Sequence, residues 1–218
     1  MAYSGQVTVG GAPDVHELSD LIISKVAVGP MNNNAYLLRC RATGEQLLID
    51  AAEEPATLLD LVGSDGLASV VTTHQHGDHW QALRAVVDAT GARTYAGRDD
   101  ASGIPVTTDV PLDDGGTIGV GRITLTARHL VGHTPGSIAL VYDDPHGHPH
   151  VFTGDCLFPG GVGNTHDDPA AFTSLLDGVT AKLFDRLPDE TWVYPGHGDD
   201  TTLGAERPHL AEWRARGW

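Results

Sequence analysis

Short, densely apolar stretches alternate with turn residues along the chain. Leu21 to Val28, Ala35 to Leu38 and Gln46 to Asp50 are such runs, separated by Gly29-Pro30 and Thr43-Gly44. Bounded runs of this kind predict strands, and the punctuation between them predicts tight turns. The period then changes. Glu54-Pro55 opens a segment whose Leu58, Leu59 and Val62 share a helical face, and Gly63 closes it. Leu67 to Thr73 reads as a strand buried on both faces. Trp80, Leu83, Val86 and Val87 return to helical spacing, with Gly91 suited to a left-handed C-terminal cap, and Arg93 to Ala96 predicts another strand. The first half is therefore expected to run β-β-β-α-β-α-β.

The second half repeats the style. Strands are predicted over Thr117 to Val120, Arg122 to Arg128, Ser137 to Tyr142, His150 to Thr153 and Thr191 to Tyr194. Asp168-Pro169 is a helix-start signal for a helix over Ala170 to Leu183, and a last helix is expected near Leu203. Asp143 to Pro149 reads as a hairpin tip. Two β-rich halves with outer helices predict an α/β fold, a four-layer αββα sandwich, in a single domain over residues 1–218.

Composition narrows the function. Acidic residues outnumber basic ones 29 to 13, a formal net charge of −16. Nucleic acid and anionic membrane are thus disfavoured as partners, because both would be repelled. No apolar run approaches the roughly 20 residues of a membrane span. No basic stretch followed by an apolar one stands at Met1 to Gly11, so a cytoplasmic location is expected. Cys40 and Cys156 read as buried thiols of a reduced compartment rather than a disulfide framework. Twelve histidines are the unusual count, and where they fall carries the chemistry.

Val70-Val71-Thr72-Thr73 runs directly into His74-Gln75-His76-Gly77-Asp78-His79. Alternation puts His74 and His76 on one side of an extended chain. Gly77 lets the loop curl, so that Asp78 and His79 can turn to the same place. Three later segments each set a ligand type after a predicted strand and beside glycine: Gly132-His133-Thr134-Pro135-Gly136, Thr153-Gly154-Asp155-Cys156 and Tyr194-Pro195-Gly196-His197-Gly198. Together they offer five histidines and two aspartates, enough for two metal ions sharing one carboxylate. Cys156 is expected to pack behind the site. His129 reads as structural, and His146, His148 and His150 as a solvated tip. The pairs Asp99-Asp100, Asp113-Asp114 and Asp199-Asp200 read as solvated turns.

The ordered motifs T-H-x-H-x-D-H, G-H-T-P-G, T-G-D-x-L-F and P-G-H-G resemble the metallo-β-lactamase superfamily, and within it the glyoxalase II-like thioester hydrolases. The resemblance spans Asn33 to about Arg207. It implies one metal site at His74, His76 and His133, and a second at Asp78, His79 and His197, with Asp155 bridging them. Asp78 is expected to act in catalysis as well as to ligate. The implied cofactors are two divalent metal ions, zinc first, with iron or manganese as alternatives. The implied reaction is attack of a metal-bridging hydroxide on a small acyl thioester. Asn164 stands where such enzymes commonly carry a basic residue that helps hold glutathione, and His166 is placed to reach the substrate cleft. The chain ends 21 residues after His197, which matches a short form lacking the C-terminal helical domain of the longer enzymes. These departures favour a thiol less anionic than glutathione, such as a sugar-based one. The rival readings are a mononuclear iron persulfide dioxygenase using His74, His133 and Asp155, and a lactonase or β-lactamase. The oligomeric state is not legible.

Overall fold

The computed structural model describes residues 3–217. Seven strands form the first sheet in chain order: β1 (Asp14–Glu17), β2 (Leu21–Val28), β3 (Asn33–Cys40), β4 (Gln46–Ile49), β5 (Ser69–Thr72), β6 (Arg93–Gly97) and β7 (Val110–Leu112). Pairing is antiparallel up to β4 and parallel from there on. The change of direction follows from the connections. Tight turns join β1 to β4, whereas helix α1 (Pro55–Val62) and helix α2 (Leu83–Thr90) carry the chain back between parallel strands.

The second sheet contains β8 (Thr117–Val120), β9 (Ile123–His129), β10 (Ile138–Tyr142) and β11 (His150–Gly154), and a hairpin of β12 (Leu157–Phe158) and β13 (Gly161–Val162) follows it. Helix α3 (Pro169–Val179) crosses to β14 (Trp192–Pro195), which lies parallel to β11, and β15 (Thr201–Thr202) closes the sheet edge. Helices α4 (Leu203–Glu206) and α5 (Leu210–Arg216) complete the described chain.

The layers follow from which faces are apolar. Leu21, Ile23, Leu38, Leu140, Phe152 and Tyr194 fill the space between the sheets. The opposite face of the first sheet packs Val26, Leu48 and Val70 on Leu58 and Val86 of α1 and α2. The opposite face of the second packs Val141, Val151 and Val193 on Leu175, Leu176 and Trp213 of α3 and α5. The architecture is the four-layer αββα sandwich that the hydrophobic pattern predicts. Among the described residues no helix is long and apolar enough to cross a membrane.

The structure corrects several expectations. β1 and β7 are additional edge strands; β1 has polar residues at three of its four positions and joins by main-chain bonds to β2. The helix expected over Ala170 to Leu183 starts at Pro169, with Asp168 accepting from the amides of Ala170 and Ala171, and its last part is a π turn over Thr180–Phe184. His150 is not solvated: it is 1 % exposed as the first residue of β11, and its Nδ1 meets the Tyr194 hydroxyl at 2.9 Å. His146, on the tip, is exposed and pairs with Asp20. Two of the acidic pairs are not simple turns either, since Asp100 is fully buried and the Asp200 carboxylate is almost so.

Candidate metal centre

β5 aims its C-terminal end at one edge of the sandwich, and the chain delivers His74 there two residues after the strand stops. A single 3-10 turn over Gly77–His79 curls the loop, which brings Asp78 and His79 round to the side of His74. Loops of the second sheet meet it. His133 lies between β9 and β10, Asp155 directly after β11, and His197 two residues after β14. Potential ligand atoms fall into three overlapping groups, His74/His76/His133, His74/His79/Asp155 and Asp78/His79/His197, with the atoms of each within 4.8 Å of one another.

Asp155 sits between the groups. Its Oδ1 lies 3.4 Å from His79 Nε2, and its Oδ2 lies 3.5 Å from His197 Nε2 and 3.6 Å from His133 Nε2. Asp78 Oδ2 lies 3.3 Å from His197 Nε2 and 3.5 Å from His79 Nε2. Only glycine fits at 196, where a Cβ would stand 2.2 Å from Asp155 Oδ1 and 2.8 Å from His79 Cε1. Gly154, at φ +47°, likewise lets the strand end turn under Thr73, whose Oγ1 a Cβ would approach to 2.5 Å.

Outer partners fix which nitrogen each ring presents. Asp50 accepts from Thr73 N and Thr73 Oγ1, and its Oδ2 holds His79 Nδ1 at 2.8 Å. Thr73 Oγ1 spends its proton on Asp50, so it accepts from His74 Nδ1 at 3.1 Å. His133 Nδ1 donates to the Asn164 carbonyl at 2.7 Å and His197 Nδ1 to the Met31 carbonyl at 3.1 Å. Four histidines therefore turn Nε2 inward, the arrangement in which a hydrogen bond on the far nitrogen orients a metal ligand. His76 differs, pointing Nδ1 at His133 Nε2 from 2.9 Å.

This donor set fits divalent metal ions on two grounds. His79 Nε2 and Asp155 Oδ1 are buried and make no hydrogen bond, which is costly unless something else satisfies them. His74 Nε2 and His133 Nε2 face each other at 3.3 Å while both protons sit on the outer nitrogens, so two lone pairs oppose one another unless a cation lies between. Electrostatics agree. Burial pushes His74 far below the ordinary imidazole range, and it also lowers His76 and His133, keeping them neutral for ligation. Burial would lower His79 too, but Asp50 and Asp155 raise it to about 10. An ion would take that proton's place and expel it. Burial would raise Asp155, but the facing His79 ring and its charge hold the carboxylate ionised.

The model of the metallo-beta-lactamase superfamily matches residues 28–197, a span that contains every residue of this cluster. The chain belongs to the metallo-beta-lactamase superfamily. Among curated relatives it is 35 % identical over 180 residues to a hydroxyacylglutathione hydrolase of Polaromonas sp. (strain JS666), covering 81 % of this chain and 66 % of that one. It is 30 % identical to an uncharacterised protein of Mycobacterium tuberculosis, over 86 % of this chain and 95 % of the other. The chain spans less than two thirds of the length of the first hydroxyacylglutathione hydrolases it matches. Among solved structures, ETHE1 from Myxococcus xanthus superposes with a TM-score of 0.77 at 30 % identity, covering 88 % of this chain and 84 % of that one. TTHA1623 in a di-iron-bound form gives 0.69 at 34 % identity, over 84 % and 96 %. The BLEG-1 B3 metallo-beta-lactamase gives 0.74 at 27 % identity, over 88 % and 99 %.

The superfamily's αββα frame thus carries a cluster that this chain supports with residues its sequence pattern does not single out. Asn33, at the start of β3, donates from Nδ2 to Asp78 Oδ2 at 2.9 Å and lies 3.3 Å from His197 Nε2. Asp100 accepts from Gln75 N, Gly136 N and Thr134 Oγ1, tying the His74–His79 loop to the His133 loop. Asp50 leaves a trace in the sequence, an acid ending an apolar strand, and its φ of 57° is held by those bonds. Of the two residues expected on the substrate side, His166 has its ring 5.9 Å from that of His76. Asn164 acts at the centre through its carbonyl on His133, while its Oδ1 accepts from His166 N. A cavity of about 340 Å³ lies along this loop between Val162 and Pro169. Cys156 is buried behind Asp155, and burial raises its thiol beyond the reach of neutral pH.

Proposed function

We propose that the chain is a metal-dependent hydrolase of small acyl thioesters. His74, His76 and His133 would hold one divalent ion, and Asp78, His79 and His197 a second, with Asp155 shared. The observation that carries this reading is the pair of buried, unbonded atoms His79 Nε2 and Asp155 Oδ1, facing each other at 3.4 Å inside the ring of ligands. Two such ions, when bound, lower the pKa of water from 15.7 toward about 7 and polarise a carbonyl.

The chain's own groups do the rest. Asp50 and Thr73 hold His79 and His74 with their Nε2 atoms inward. Asn33 pins Asp78, whose side chain is 19 % exposed and is the carboxylate through which we route the released proton to solvent. The groups bonded to the seven ligands are histidine, carboxylate, threonine, asparagine and main-chain carbonyl, with no lysine or tyrosine ammonium or phenol among the described ones. A leaving group that departs as an anion suits this set, which a thiolate does and an amide nitrogen does not. Similarity to hydroxyacylglutathione hydrolases supports the thioester, and Asn164 with the net charge of −16 supports a thiol carrier less anionic than glutathione.

The test is kcat/KM for one 2-hydroxyacyl group on glutathione and on a neutral thiol, together with metal analysis of unchelated protein. Two metals per chain and at least tenfold preference for the neutral carrier are expected. Preference for glutathione would overturn the carrier alone. One iron per chain, with oxygen uptake on a persulfide and no thioester turnover, would replace the reading.

A further inference from the structure

The most unusual buried group outside the ligand cluster is Lys25. Leu21, Ile23 and Lys25 share one face of β2, and the first two pack between the sheets, so an apolar residue would be expected at the third position. Lys25 is instead an ammonium with no solvent exposure. All three of its protons are spent on one region: Gly198 O at 2.8 Å, Gly5 O at 2.6 Å and Asp200 Oδ1 at 2.7 Å. The Asp200 carboxylate is 1 % exposed and its other oxygen accepts from Tyr3 Oη at 2.6 Å and Trp192 Nε1 at 2.9 Å.

Burying such a pair adds little net stability. Desolvation costs several kcal/mol per ion, and apolar replacements of like volume are often as stable. What the pair does fix is the segment that follows His197, through Gly198 O and Asp200 itself, while Asn34 and Tyr36 hold the residues before it. Gly198 O takes a second bond from Asn34 Nδ2, and Pro195 O takes bonds from Asn34 Nδ2 and Tyr36 Oη. His197's own ring is held by a 3.1 Å bond from Nδ1 to the Met31 carbonyl of a surface turn and a 3.3 Å contact of Nε2 with Asn33 Nδ2, both outer contacts of a ring whose aim also depends on the backbone beneath it.

We propose that the Lys25–Asp200 pair, clasped by the segment Tyr3–Gly5, is a positioning device for His197 and sets the affinity of the second metal ion. This rests on the two-ion reading above. The pair reaches one triad only: neither residue bonds to the loops of His74, His76 or His133.

The experiment is a zinc titration of the full chain by chelator competition, with the d–d spectrum of the cobalt-loaded protein as a second readout. In Lys25→Met/Asp200→Asn, which removes both charges together, the first ion should bind as in the wild type. The second should bind about tenfold more weakly, the scale seen when outer partners of metal ligands are lost. Its cobalt bands should shift, while the chelated proteins melt within a few degrees of each other. Tyr3→Phe, which keeps both charges and removes one bond to Asp200, should weaken the second ion about threefold and decides the matter if the double variant does not fold. Equal weakening of both ions alongside a lowered melting temperature would reduce the pair to a structural role and overturn the proposal. So would unchanged binding of both. A wild type that takes only one ion would overturn the two-ion reading, and the proposal with it.

Discussion

Asp155 is the residue on which the centre turns. Its two oxygens lie within 3.6 Å of nitrogens from both triads, and one of them bonds to nothing in the protein. On the proposed two-ion reading, removing it would delete the carboxylate shared by the two ions and leave two dications to repel each other. Asp155→Ala should therefore lose both ions, and at least a thousandfold in kcat/KM, more than any other single ligand substitution. His146→Ala, on the exposed tip, should change neither by more than twofold. Metal content and thioester turnover measured side by side check both. A thousandfold corresponds to about 4 kcal/mol of transition-state stabilisation.

Scale changes what the sequence can reveal. His74, His76, Asp78 and His79 are legible because they are local: six residues after one strand carry four of the seven candidate ligands. Asn33, Asp50 and Asp100 are not, since each meets its partner across 23 to 45 positions and only the sheet order brings them together. Asp100 looks like any acidic turn until β6 and the loop after β5 are placed side by side. His150 misleads for a related reason. Its neighbours His146 and His148 belong to the tip, and nothing in the pattern marks the residue at which the strand dives under Tyr194. The glycine after β14, by contrast, is readable and testable. Gly196→Ala should push Asp155 and His79 apart, because its Cβ would meet both. Retained fold by circular dichroism with metal content reduced to one ion or none is expected. Full occupancy in the variant would show that the backbone there has room to yield.

At the scale of the molecule, acid should act through the buried imidazoles. His150 is lowered to about 3 by burial, with His148 and His16 adding to the effect. The sign follows directly. The unfolded chain takes up the proton near pH 6.5 and the folded chain only near 3, so this group's contribution is whole above 6.5 and is lost as pH falls through that window. Between pH 7 and pH 5 the loss is about 2 kcal/mol. In chelated protein, the urea-unfolding free energy of the wild type should fall by about that much more than that of His150→Phe. Equal slopes would mean that His150 is hydrated in the native state. The candidate ligands His74, His76 and His133 are lowered in the same direction, and the comparison of the two proteins cancels them.

The division of the ligands between the two sheets has a consequence for the order in which the protein can be made. On the proposed assignment, the first sheet contributes the candidate ligands His74, His76, Asp78 and His79, and the second His133, Asp155 and His197. On a ribosome the first triad is complete once His133 has emerged, while the second waits for His197, 64 residues later. At about 5–20 residues per second that interval is roughly 3–13 s. A nascent chain that captures an ion in that time joins the finished first sheet to a half-made second one. It then holds β9 and β10 in place while α3 and β14 are still being synthesised.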